Sequence, residues 1–251
     1  MKIHTLLFFG LLLSSLPGQE LPPVAPMPVL PAPLPHELNS ALYPVGRFDW
    51  FQRVAANIQK GKQAAATCEL VFDGDSITDL WQTTGKDVWA QRYAKYNAFD
   101  FGISGDQTQH LLWRLTQGQA TGMHPKLIAL LIGTNNIANT SAERIAEAVK
   151  AIVVAYQTIS PDSVILVQAV FPRGEKPDDP VRLKIKQLNA VLAKLDDGKK
   201  VITIDFGDKF LQPDGTISRE IMPDFLHPSA KGYQIWADAI QSIIDRYLPA
   251  K

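Results

Sequence analysis

Two rhythms of apolar and polar positions alternate along this chain. Glu69-Leu70-Val71-Phe72-Asp73 and Phe99-Asp100-Phe101-Gly102-Ile103 are short β-rich runs, the first closed and the second interrupted by glycine. Leu127 to Ile132 is a near-continuous apolar run ending at Gly133, the pattern of a strand buried on both faces. Ser163 to Val170 and Val201 to Phe206 supply two more. Between and after these runs the helical period predicts helices over roughly 86–96, 107–117, 141–158, 181–196 and 229–247. In the third of these, Ile145, Val149, Ile152 and Val153 share one face and Ser141 is placed to cap the start. Strands separated by helices of this length imply right-handed crossovers. The expected class is therefore α/β, with a parallel sheet covered on both faces.

The alternation begins only near residue 46. Ahead of it the chain reads differently. Lys2 precedes an apolar stretch centred on Leu6 to Leu13, too short for a spanning helix and suited to a secretory signal. Residues 1–18 are expected to be that signal, cleaved after Gly18; an uncleaved anchor is the alternative. Residues 21–35 hold seven prolines, which remove backbone donors and fix φ. Residues 19–45 are accordingly expected to form an extended spacer, leaving 46–251 as one folded domain. The expected location is outside the cytoplasm, periplasmic or extracellular, with no integral span in the mature form.

Charge narrows the partners. There are 25 Lys+Arg against 25 Asp+Glu, and loss of Lys2 with the signal leaves 24 against 25. That balance gives no electrostatic footprint for nucleic acid. A lone cysteine, Cys68, excludes an internal disulfide and a cysteine-based zinc site, and no ligand spacing suggests a metal.

In an open parallel sheet, reactive groups collect beyond the C-terminal ends of the strands. Four clusters of small and polar residues fall at such positions: Asp73-Gly74-Asp75-Ser76-Ile77-Thr78, Gly102-Ile103-Ser104-Gly105-Asp106, Gly133-Thr134-Asn135-Asn136 and Asp224-Phe225-Leu226-His227-Pro228. Among the five histidines only His227 has a carboxylate, Asp224, three residues earlier. In a tight turn that spacing lets the carboxylate hold one ring nitrogen and leaves the other free for a nucleophile. Ser76 follows a strand through a glycine at the start of a helix, where its hydroxyl stands exposed; a serine there also serves simply as a cap. The Ser76 and Gly105 N–H groups and the Asn135 amide are candidate donors to an oxyanion. Asp75 and Asp106 read as hydrogen-bonding loop supports. Ile77 and Leu226 flank the serine and the histidine, and are expected either to crowd the acyl side of a site or to enter the core.

Taken in order, GDSIT at 74–78, FGISGDQTQHLLWRL at 101–115, GTNN at 133–136 and DFLHPSAKGY at 224–233 resemble the SGNH (GDSL-type) hydrolases. Within that family the blocks, together with FPRGEKP at 171–177 and DGTIS at 214–218, look closest to the catalytic subunits of type I platelet-activating-factor acetylhydrolase. The resemblance implies a flavodoxin-like three-layer α/β/α sandwich with a five-stranded parallel sheet, and no cofactor. It implies Ser76 as nucleophile, His227 as general base, Asp224 as its partner, and an oxyanion hole of Ser76, Gly105 and Asn135. It further implies hydrolysis of short acyl esters, acetyl first, on a carbohydrate or lipid-like substrate, and pairing into a homodimer. The export signal departs from the intracellular subunits it resembles. Alternatives on the same residues are a lysophospholipase or thioesterase for longer chains, and a non-catalytic carbohydrate-binding domain.

Overall fold

The computed structural model describes residues 39–249. The expected signal, residues 1–18, and residues 19–38 of the expected spacer lie outside the described residues. Five parallel strands form one sheet: β1 (Leu70–Gly74), β2 (Phe99–Asp100), β3 (Leu127–Leu131), β4 (Val164–Gln168) and β5 (Val201–Ile204), in the order β2-β1-β3-β4-β5. Among the described residues seven α-helices accompany them: α1 (Phe51–Ala64), the single-turn α2 (Ser76–Asp79), α3 (Lys86–Arg92), α4 (Thr108–Thr116), α5 (Ala142–Ile159), α6 (Pro180–Leu192) and α7 (Ala230–Tyr247). This is the expected three-layer α/β fold.

Alternation within the strands builds two cores. Val71, Ile128, Leu130, Ile165 and Val167 face α4, α5 and α6, where Leu111, Ile145, Val149 and Leu188 meet them. Leu70, Phe72, Leu127, Ala129 and Leu166 face the other layer, which includes Tyr93, Trp236 and Ile240. On that side Phe72, Trp81, Trp89, Tyr93 and Trp236 make edge-on and tilted ring contacts, with centroids 4.9–6.2 Å apart. Every residue of β1, β3 and β4 is buried, as a doubly covered sheet requires.

Two elements differ from the pattern read in the sequence. The strand over 99–103 is regular for only two residues, at the sheet edge where β2 pairs with β1. Its backbone nevertheless continues alongside β1, with Phe101 N–H donating to Phe72 O (2.9 Å) and Ile103 N–H to Gly74 O (3.2 Å). Helix α1 has no counterpart in the sequence reading: it buries only Val54 and Gly61, so its apolar stripe is too thin to stand out. Residues 39–45, at the end of the expected spacer, are anchored to the domain through Asn39 and Ala41, while Tyr43 and Val45 stay exposed. Asn39 is buried and donates to Arg144 O (2.9 Å) and Glu147 Oε2 (3.0 Å) on α5, and Ala41 is fully buried.

Beneath the C-terminal edge of the sheet lies a buried charged network. Arg114 of α4 is 1 % exposed. Its guanidinium donates to Asp73 Oδ1 (2.9 Å), Asp106 Oδ2 (2.8 Å), Gly74 O (3.2 Å) and the Gln119 side chain. Asp73 also accepts from Gln119 Nε2 (2.7 Å) and from the Tyr156 hydroxyl. Burial opposes the arginine's charge, but Asp73 and Asp106 outweigh it and hold the guanidinium above its ordinary pKa. Removing one partner from such a group leaves uncompensated buried charge. Arg114→Met should therefore cost about 3–5 kcal/mol of stability, read as a lower midpoint in urea denaturation, whereas a surface change such as Lys194→Met should leave it unmoved.

Candidate active site

The strand order reverses between β1 and β3, with β2 on one side and β4 on the other. That switch point opens a crevice at the strands' C-terminal ends. Ser76 leaves β1 there, Gly105 follows β2, and Asn135 follows β3. Gly74 allows the close approach: a Cβ at that position would lie 2.1 Å from Leu131 O of the neighbouring strand. Asp75 caps the turn after it, its Oδ1 accepting from Ile77 N–H at 3.0 Å. Ser76 begins α2 half-buried, while Ile77 turns inward.

His227 arrives from the far end of the chain, just before α7. Ser76 Oγ and His227 Nε2 are 2.9 Å apart, and His227 Nδ1 and Asp224 Oδ2 are 2.6 Å apart. The other carboxylate oxygen, Oδ1, accepts from the backbone N–H groups of His227 (2.8 Å) and Leu226 (3.1 Å). Phe225 makes this local wrap with φ +61°, a left-handed conformation costly for a bulky residue. Its carbonyl accepts from Gly174 N–H (2.9 Å), and the Arg219 guanidinium lies 4.5 Å from the centre of its ring. Partial burial pushes the Asp224 carboxyl up, but the hydrogen bonds from the His227 ring and amide outweigh it and hold it below the usual range. Helix α7 keeps this turn over the sheet: Tyr233 Oη donates to Ile77 O (2.7 Å) and Trp236 Nε1 to Gln168 Oε1 (2.6 Å). A hydroxyl bonded to an imidazole that is bonded in turn to a carboxylate can lose its proton to the ring as the oxygen attacks an electrophile.

Candidate donors lie in the loops after β2 and β3. Asn135 Nδ2 gives one hydrogen to Asp106 O (2.9 Å), which orients the amide and leaves its second hydrogen available. Gly105 is exposed with φ +80°. Asp79, one turn after Ser76, accepts from Ser104 N–H (3.1 Å) and Oγ (2.6 Å), and so ties the second cluster to the first. Asn136 ties the third to α4, accepting from Thr108 N–H (3.0 Å). Arg173, after β4, donates to Thr134 O and Oγ1, each at 3.3 Å. His110 accepts from Gln107 N–H through Nδ1 (2.9 Å); burial, then Arg47 and Arg114, push its pKa down to about 4, so it is a neutral cap of α4. Among the described residues no group of three His, Cys, Asp or Glu could hold a metal ion, and no helix is long and apolar enough to cross a membrane.

The structure thus brings Ser76, Asp224, His227, Gly105 and Asn135 to one crevice. It does not bring Ile77 there. Ile77 is 1 % exposed and belongs to the core cluster of Phe72, Trp81 and Trp236, because one helical step after Ser76 turns its side chain toward the sheet. Leu226 stays half-buried next to His227, packed on the same cluster. The sequence reading missed Asp79, Arg47 and Arg114, although an arginine inside the apolar LLWRL and an aspartate inside LVFDG were visible signals of a buried pair.

A family model described as the GDSL-like Lipase/Acylhydrolase family matches residues 72–235. The chain belongs to this family. Its members among similar proteins include platelet-activating factor acetylhydrolase IB subunit alpha1 of Rattus norvegicus, 36 % identical over 181 residues, 72 % of this chain and 76 % of that protein. Subunit alpha2 of Homo sapiens is 39 % identical over 166 residues, 66 % of this chain and 71 % of that protein. Among solved structures, one described as a putative platelet activating factor from Streptococcus pneumonia superposes with a TM-score of 0.63 at 22 % identity, covering 78 % of this chain and 95 % of that one. An acetylxylan esterase from Geobacillus stearothermophilus superposes with a TM-score of 0.55 at 19 % identity, covering 72 % and 94 %. Both structural likenesses concern the fold. The acetylhydrolase relatives are ester-hydrolysing enzymes, as GDSL acylhydrolases are, and so is this protein.

Asp75 supplies a pH test within this GDSL hydrolase. It is 1 % exposed, and burial pushes its pKa up to about 7 from the usual 3.8, with Asp106 adding to the rise and the Ile77 amide opposing it. Between those two values the folded chain binds more protons at this site than the unfolded chain. Stability from this group is therefore lost as pH rises through that window. Asp75→Asn keeps an oxygen for the Ile77 amide and should flatten the fall, measured as the difference between wild-type and variant urea midpoints across the range.

Proposed function

We propose that the protein is an exported serine esterase that removes short acyl groups, acetyl first, from a carbohydrate or lipid-like ester. The observation that carries this reading is the unbroken hydrogen-bonded series Ser76–His227–Asp224 at the switch point, beside donors from three clusters. His227 Nε2 takes the Ser76 proton as Oγ bonds to the ester carbonyl carbon. The carbonyl oxygen becomes an oxyanion received by the N–H groups of Ser76 and Gly105 and by the Asn135 amide. Among the described residues the first two donate no other hydrogen bond, so they are free for that oxygen. Collapse breaks the ester bond, and the alcohol leaves with the proton from His227. Water, deprotonated by the same ring, then releases the acyl group and restores Ser76. Asp224, held ionised, fixes the ring and faces the imidazolium. No step calls for a cofactor.

The acetyl preference is supported by the acetylhydrolase relatives and by Leu226 beside the histidine. With Ile77 in the core, Leu226 is the remaining one of the two residues read as limiting chain length. Export is supported by Lys2 and the apolar run that follows it. Hydrolysis of p-nitrophenyl acetate should vanish in Ser76→Ala and fall by about 10²–10³ in kcat in Asn135→Ala; activity that persists in Ser76→Ala overturns the serine mechanism. Leu226→Ala should raise turnover of butyrate and hexanoate esters relative to acetate, compared as kcat/KM.

A further inference from the structure

The segment ahead of the family match reaches the site. From Asn39 it crosses α5 and α4: Thr108 Oγ1 donates to Ala41 O (3.0 Å) and Val45 N–H to Gln109 O (3.2 Å). It ends at Arg47. There Nη1 donates to Ser104 O (2.8 Å) and lies 3.4 Å from Asp106 Oδ1, while Nη2 bonds Asp49 Oδ2 at 2.8 Å. The guanidinium lies against the bare backbone of Gly105, where a Cβ would come within 2.8 Å of Nη1. It also sits 5.5 Å from the centre of the Trp50 ring.

The Ser104 carbonyl and the Gly105 N–H belong to one planar, trans peptide group, so they point in opposite directions. A charged donor on the carbonyl sets the plane of that group and thereby the aim of the N–H on its other side. It also polarises the amide, which strengthens the donor. Glycine at φ +80° has no Cβ to hold that plane, so its setting falls to contacts such as this one. Arg114 holds Asp106 Oδ2 from beneath, so Arg47 acts on the face the buried network leaves open.

We propose that Arg47 is a positioning residue of the oxyanion hole, acting through the Ser104–Gly105 peptide. This rests on the reading of Gly105 N–H as an oxyanion donor. It assigns the residues before the hydrolase motifs a part in turnover that the motifs themselves do not contain.

The test compares Arg47→Ala and Arg47→Lys with Phe48→Ala, a neighbour that is 88 % exposed, in the full chain. With p-nitrophenyl acetate, Arg47→Ala should lose about 10- to 100-fold in kcat with KM unchanged, because the ester ground state does not use the donor. Affinity for phenylboronic acid, whose tetrahedral adduct on Ser76 places an anionic oxygen in the hole, should weaken in parallel. Millimolar guanidinium should restore part of the loss in Arg47→Ala and none in Arg47→Lys, which keeps charge but not the fork and should fall between wild type and Ala. Phe48→Ala should match wild type. If Arg47→Ala does not fold, the kcat and boronate affinity of Arg47→Lys, both lowered, carry the same test. Unchanged kcat in folded Arg47 variants overturns the proposal, as does a kcat loss with boronate affinity intact. Turnover indifferent to Ser76→Ala would instead overturn the serine reading, so the two failures are told apart.

Discussion

An arginine shut away from water has to be answered by carboxylates and carbonyls, and in this protein that requirement organises the whole reactive edge of the sheet. Arg114 binds Asp73 at the end of β1, the Gly74 carbonyl one residue later, and Asp106 in the loop after β2. Asp106 then presents its own carbonyl to Asn135 after β3. Three strand ends are thus held at fixed separations by groups that cannot move without stranding charge in the interior. The fully covered sheet alone would tolerate small slips of loop against loop. The network does not.

On that base the remaining connections are short and local. Asp79 grips Ser104, Asn136 grips the start of α4, and Asp224 wraps the turn that presents His227. Each joins two of the four motif clusters or stiffens one of them. Among the described residues Ser76 and Gly105, by contrast, keep their N–H groups unspent, the arrangement expected where an incoming atom supplies the missing partner. Rigid surroundings and unsatisfied centre are two aspects of one design, since preorganised donors are effective only if they need not be rearranged during the reaction.

Much of this was legible in the residues. A parallel sheet sends every strand's C-terminus to one edge, so clusters such as GDSIT and GTNN could be placed together before any coordinates. The strand runs over Leu70, Leu127 and Val164 were long and apolar enough to stand out. What failed to show depended on direction or on distant contacts. Ile77 adjoins the serine in sequence, but roughly 100° of helical rotation sends it into the core. Arg47 reads as an ordinary surface cation until the fold lays it on Gly105. Helix α1, rich in Gln and Lys, buries too little to leave a periodic trace. Phe225 carries no hint of its left-handed backbone, because that strain is imposed by the hydrogen bonds on either side of it.

The distance along the chain between Ser76 and His227 makes the reactive pair depend on long-range packing. The two are 151 residues apart, whereas His227 and Asp224 are separated by only three. The imidazole and its carboxylate are a local unit, carried at the doorstep of the last helix, and that unit meets the serine only when α7 docks through Tyr233 and Trp236. Loosening α7 from the sheet would therefore part the serine from its base while leaving the imidazole and its carboxylate paired to each other.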